Sequence, residues 1–210
     1  MDENFEYFLE KMGPAFDKRH VPPTSIERYR GKLPDQLLAY WDEHGWCGYA
    51  DGLFWTVNPQ EYEPVLESWI SDTHFMEEDS YHVIGRSAFG DIYLFGGKYG
   101  RALNIIAPDS KMMPPEEKPS DLNRSVQAFF GSQTRRACDF SDVNGKTLFA
   151  SALKKLGRLK QDEMYGFVPA LALGGAATLG NLQKVKAVEH LVLLAQLAPL
   201  DVLSDPIHPI

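Results

Sequence analysis

Cys47 lies three residues after His44, a spacing at which an imidazole could take the proton from a thiol and leave a nucleophilic thiolate. The plainer reading is a buried structural cysteine, because Cys47 follows Trp46 in a segment entering a strand. Acid and base work would need paired carboxylates such as Glu61 with Glu63 or Glu77 with Glu78, and any acidic chain offers such pairs by composition alone. His74, His82 and the acids Glu77 to Asp79 have the right chemistry for a metal, but no ligand spacing organises them, so they read as a polar loop. His190, between Glu189 and Leu191 in an apolar stretch, reads as a core histidine. Gly174-Gly175 through Gly180 would cradle phosphate only with the Lys-Ser/Thr of a P-loop, which it lacks, and it reads as a turn. The cations Arg135, Arg136, Lys154, Lys155, Arg158 and Lys160 form a patch too dilute for strong nucleic-acid affinity. The expectation is therefore a chain with no catalytic residue, no metal and no cofactor.

Charge distribution is more informative. The 210 residues carry a net charge of −8, which disfavours a bulk nucleic-acid binder. Residues 1–100 hold 18 acidic and 8 basic side chains, whereas residues 101–210 hold 11 acidic and 13 basic. Between Lys32 and Arg86 there is no Lys or Arg, yet all four tryptophans, Trp41, Trp46, Trp55 and Trp69, lie there among eleven carboxylates. Uncompensated carboxylates repel one another. Two readings follow: a solvated acidic face that aids solubility, or a docking surface for a basic partner with aromatic anchors. On the second reading the contacts come from Asp42, Glu43, Trp46, Asp51, Glu61, Glu63, Glu67, Glu77, Glu78 and Asp79, with Trp41 and Trp55 in the core.

The elements that must carry these residues follow from patterning. Phe5, Phe8, Leu9 and Met12 fall at helical spacing, so a helix is predicted from about Glu3 to Met12. Residues 13–24, with three prolines, read as irregular; a second helix opens at Pro34 and ends at Gly45. Leu53 to Val57 reads as a strand, and Asn58-Pro59-Gln60-Glu61 opens a helical segment toward Trp69 that Pro64 interrupts or restarts. Tyr81 to Arg86, Asp91 to Phe95 and Ala102 to Ile106, joined by glycine turns, predict an antiparallel meander. Residues 107–120 carry four prolines and read as a linker between an acidic region, 1–106, and a mainly helical region, 121–210, though both regions can share one core. In the latter, helices are predicted around 122–130 and 148–156, a short strand at 167–173, and a long apolar helix from Asn181 to Ala195. Strands followed by helices without βαβ alternation predict an α+β fold. Two cysteines are too few for a disulfide framework; no apolar run reaches the roughly 18 residues of a membrane span, and the start lacks a signal peptide, so a cytoplasmic protein is expected.

The strings HGWCGYADGLFWTVNP at 44–59 and YHVIGRSAFGDIYLFG at 81–96, with the run from Ile26 to Pro34, resemble the GAD-like domain family. The strings EMYGFVPALALGG at 163–175 and NLQKVKAVEHLVLLAQL at 181–197 are similar to the domain of unknown function that commonly follows it. The resemblance spans about residues 3–202. It implies an immunity protein of the bacterial type VI secretion system, held in the cytoplasm and binding a cognate effector, often a DNase, to prevent self-intoxication. The family brings no catalytic residues. A nuclease presents cations to phosphate, so an acidic surface that imitates its substrate is the expected means of inhibition. Two rivals stand beside this reading: a cysteine-dependent enzyme using Cys47 and His44, and an RNA-binding module of the GAD type.

Overall fold

The structure, a computed structural model, describes residues 2–114 and 119–203. Phe5, Phe8 and Met12 recur on one side of α1 (Glu3–Met12) and are all buried. Asp2 caps it by accepting the Phe5 N–H at 3.2 Å. The segment expected to be irregular is partly regular: it contains β1 (Phe16–Arg19), and the Pro22-Pro23 pair opens α2 (Pro23–Tyr29). A proline in the first turn loses no intrahelical bond, so the pair starts a helix here. The helix expected at Pro34 is α3 (Asp35–His44), which buries Leu37, Leu38 and Trp41.

The predicted meander is the centre of a larger sheet. Strands β2 (Trp46–Tyr49), β3 (Phe54–Thr56), β4 (Tyr81–Ser87), β5 (Asp91–Gly96), β6 (Gly100–Ile106) and β7 (Lys111–Met113) pair antiparallel with their sequence neighbours, and β1 adds to β2. Strand β10 (Asp201–Val202) closes the far edge, parallel to β7. The first half of the proline-rich segment is thus part of the sheet and not a linker. Residues 107–109 form a 3-10 turn with Pro108 in its first turn, and Met112 is buried opposite Ile105. Prolines at 108 and 114 bracket the three-residue strand without interrupting it. Residues 115–118 of the expected linker lie outside the described residues.

The segment opened at Asn58 is a 3-10 helix over Pro59–Tyr62, and it restarts as α4 (Glu63–Ile70) with Pro64 in the new first turn, as expected; a short α5 (Phe75–Glu78) follows. The back half contains α6 (Leu122–Ser132), α7 (Arg135–Cys138), α8 (Phe149–Leu156), the hairpin strands β8 (Glu163–Phe167) and β9 (Leu182–Lys186), and α9 (Ala187–Ala195). Two expectations are corrected here. No strand runs over 167–173: β8 ends at Phe167, and residues 171–173 form a 3-10 turn. The helix placed from Asn181 begins only at Ala187, because residues 182–186 pair with β8. Helices stand before, between and after the strands, so the expected run of strands followed by helices is not the chain order; the sheet is antiparallel except where β10 meets β7, which makes the fold α+β.

One hydrophobic core runs through both halves. The α6 rings Phe129 and Phe130 pack on α1 and on the sheet: Phe130 lies 5.1 Å from Phe5 and 5.3 Å from Phe8, and Phe129 lies 5.5 Å from Tyr93. Side chains alternate across a strand, so Trp55, next to Phe54, faces the opposite side of the sheet. There it stacks on Arg86, 5.3 Å from ring centroid to guanidinium. Arg86 is fully buried and has no ion pair with a carboxylate among the described residues; its Nε donates to the Tyr62 hydroxyl at 2.8 Å, and its Nη2 donates to the carbonyls of Gln161 and Glu163 at 2.8 and 2.7 Å. The guanidinium thereby fastens the β8 hairpin to β4.

Candidate partner-binding surface

The residues with catalytic potential are dispersed or enclosed. The Cys47 thiol makes its contacts with Thr56 Oγ1 and the Gly45 carbonyl, each 3.7 Å away, while His44 stacks on Phe5 with ring centroids 4.7 Å apart. Burial pushes the Cys47 thiol up and the His44 imidazole down, the reverse of a thiolate–imidazolium pair. His74 lies 3.7 Å from Glu78, whereas His82 meets Tyr29 edge-on. Among the described residues no three His, Cys, Asp or Glu side chains gather into a metal-holding group. The Gly174 and Gly175 N–H groups donate to Leu171 and Ala170, with Gly174 at φ +83°, so the loop turns its amides inward and presents no anion cradle. His190 packs where Gly166 leaves room, since a Cβ there would stand 2.7 Å from its Nε2, and burial lowers its pKa. Of the basic patch, Arg158 and Arg135 converge on Asp51 at 2.9 and 3.8 Å.

The structure divides the ten acidic-region residues into two groups. Trp46 is 3 % exposed and sits under Arg19, 5.0 Å from ring centroid to guanidinium, so it belongs with the core and offers no surface anchor. Asp51 is neutralised by its two arginines. Glu61 is held by a two-pronged bond from Arg19 at 2.7 and 3.0 Å. Asp79 clasps the turn between β5 and β6: its Oδ2 accepts the N–H groups of Lys98 and Tyr99 at 2.7 and 3.0 Å, and Oδ1 accepts that of Ser80 at 2.7 Å. Glu78 is half-buried against His74, and Glu43 lies 3.7 Å from His44. The other four, Asp42 on α3, Glu63 and Glu67 one turn apart on α4, and Glu77 on α5, are exposed and have no side-chain hydrogen bond or ion pair among the described residues.

Two depressions accompany this surface. A pocket of about 300 Å³ opens where the two halves meet, between Arg19, Asn58 and Glu61 on one side and Gln161, Asp162 and Lys186 on the other. Its charges are largely committed to one another, Arg19 to Glu61 and Lys186 to Asp162. A second, more open groove of about 380 Å³ lies between α2 and α3. Sequence reasoning missed this groove because α2 itself was unread, and the Pro22-Pro23 pair was the signal that could have revealed it.

These features are those of a chain without a metal-holding group among the described residues, and whose exposed acids are partly unpaired. Residues 3–109, just over half of the chain, match the family model of the GAD-like domain, so the chain belongs to the GAD-like domain family. Residues 123–198 match the family model described as T6SS immunity protein Tdi1, C-terminal, which supports a role as a type VI secretion system immunity protein. Among solved structures, the crystal structure of Atu4351 from Agrobacterium tumefaciens has the same fold, with a TM-score of 0.85 at 22% identity over 94% of this chain and 91% of that one. A search of curated proteins gave no match. No helix among the described residues is long and apolar enough to cross a membrane.

Proposed function

We propose that this protein is a non-enzymatic, cytoplasmic immunity protein that neutralises a cognate toxic effector, a nuclease, by forming a stoichiometric complex through its acidic surface. The observation that carries this reading is the match of residues 123–198 to the Tdi1 C-terminal family directly after a GAD-like domain. The charge pattern supports the nuclease as target. Asp42, Glu63, Glu67 and Glu77 are exposed without a partner among the described residues, and a surface with spare negative charge attracts and covers the cations with which a nuclease holds phosphate. The enclosed Cys47, its thiol raised by burial, argues against the cysteine-enzyme rival.

The test is capture with the tagged, full-length protein from its native lysate at low and high salt, followed by identification of the bound chain and a nuclease assay with and without the protein. The expected result is one chain held at fixed stoichiometry, with nuclease activity when alone and none in the complex. A captured chain without nuclease activity would overturn the nuclease part. A bound chain that stays fully active in the complex would overturn the immunity reading itself.

A further inference from the structure

The groove between α2 and α3 is built differently from the rest of the surface. Four of its eight lining residues are apolar, Pro23, Ile26, Leu38 and Ala39, of which Leu38 is buried and Ile26 half-buried. Its volume of about 380 Å³ corresponds to about a dozen waters at roughly 30 Å³ each, enough for one long side chain. Asp35 and Asp42 stand along its rim on α3. They are seven residues apart, two helical turns and so about 10 Å along one face. Both are exposed, and neither has a side-chain hydrogen bond or ion pair among the described residues. The cation lining the groove, Arg30, is engaged chiefly by Glu27, with Nη2 to Oε1 at 2.8 Å and Nε to both carboxylate oxygens at 3.1 and 3.2 Å, and feels the Asp35 charge more weakly, which leaves Asp42 the freer of the two aspartates. The groove therefore keeps a net negative rim over an apolar bed.

An apolar stem ending in a positive charge matches that combination. Arginine and lysine lay their methylene groups on apolar surface while the charged head remains at a polar edge. Carboxylates at both ends of the face give such a head a partner wherever the stem settles. The junction pocket offers less of this, because both of its cations are paired with carboxylates on their own side, Arg19 with Glu61 and Lys186 with Asp162, which leaves Glu189 as its one lining acid outside those pairs.

We propose that the α2–α3 groove is a docking site for an arginine or lysine side chain of the protein partner. This rests on the reading of the protein as a partner-binding inhibitor, and it locates the seat of that contact at Asp35 and Asp42, the first of which lies outside the contact pool expected from sequence.

The probe is N-acetyl-argininamide, titrated into the isotope-labelled full-length protein and followed by amide NMR shifts, with uncharged N-acetyl-norleucinamide as control. The expected result is movement of the Ile26, Ala39 and Asp42 amides with the arginine probe and little with the control, and binding weaker by roughly three- to tenfold in the Asp35→Asn/Asp42→Asn double variant. Equal shifts at Glu63, Glu67 and Glu77 would show unspecific charge attraction and overturn the site. Equal response to norleucinamide would overturn the cationic occupant, and an unchanged double variant would overturn the role of the two aspartates. No effector takes part in this measurement, so its failure leaves the immunity reading standing. Conversely, if the double variant still binds and inhibits a captured effector with wild-type affinity, the groove fails while the immunity reading survives.

Discussion

Asp91 opens β5 half-buried, and burial, reinforced by the nearby Asp109, pushes its carboxyl up to about 7. In the unfolded chain the same group loses its proton near the ordinary value of 3.8. Between those two values the folded state holds a proton that the unfolded state has released, so this group lowers stability as pH rises from about 4 to about 7. Asp91→Asn, which cannot ionise, should therefore stabilise the protein at pH 8 by on the order of 2 kcal/mol and much less at pH 4. Urea midpoints at both pH values check this, and equal shifts at the two would count against it. The thiols yield a second prediction: burial pushes Cys47 up, and Cys138 up to about 12, so neither should be alkylated in the native protein near neutral pH. Rapid native labelling of Cys47 would restore the enzyme reading. A third concerns Asp79, where loss of three backbone partners in Asp79→Ala should cost about 1–3 kcal/mol, measurable by chemical denaturation. At this scale the sequence showed which residue types cluster but not which are already engaged. Asp79 and Glu77 look alike in the chain, and only the fold brings the Lys98 and Tyr99 amides to the first and leaves the second in solvent.

Elements were legible where one period ran long enough to be unambiguous. The meander from Tyr81 to Ile106 and helices α1, α3, α6 and α8 stand where patterning placed them. Short elements failed for identifiable reasons. Val185, Val188 and Val192 satisfy helical spacing, so Leu182–Lys186 was absorbed into the following helix, although pairing with β8 decides its state. A four-residue edge strand such as β1, with Asp17 at φ +49°, leaves almost no alternation to read. How elements hold one another was not legible at all, and Arg86 shows why. Its sequence context is an ordinary strand, yet its guanidinium joins β4 to carbonyls about 75 residues further on. Arg86→Met should keep some of the apolar packing while leaving the Gln161 and Glu163 carbonyls without these donors, at a cost of about 2–4 kcal/mol. Hydrogen exchange should show the loss first as weaker protection in the β8–β9 hairpin. A uniform loss across the sheet would indicate that Arg86 supports β4 and not the junction.

At the scale of the molecule the two family matches divide the chain at 109 and 123, but packing does not respect that division. Phe129 and Phe130 of the second region close the core over Phe5, Phe8 and Tyr93 of the first. The Trp69 indole donates to the Leu191 carbonyl at 3.1 Å, and β10 completes the sheet beside β7. Neither region has a core of its own that excludes the other, so the chain should unfold in one cooperative step. The two buried thiols provide a probe in each region: Cys47 in the first, and Cys138 in the second with the Tyr93 hydroxyl 3.8 Å away. Pulsed alkylation across a urea series, resolved peptide by peptide, should expose both at the same midpoint. If Cys138 became reactive at clearly lower urea while Cys47 stayed protected, the second region would be a separable unit. On the proposed reading, a protein that folds as one body would offer its acidic helices at fixed separation, so its cooperativity bears directly on how rigidly it would meet a partner.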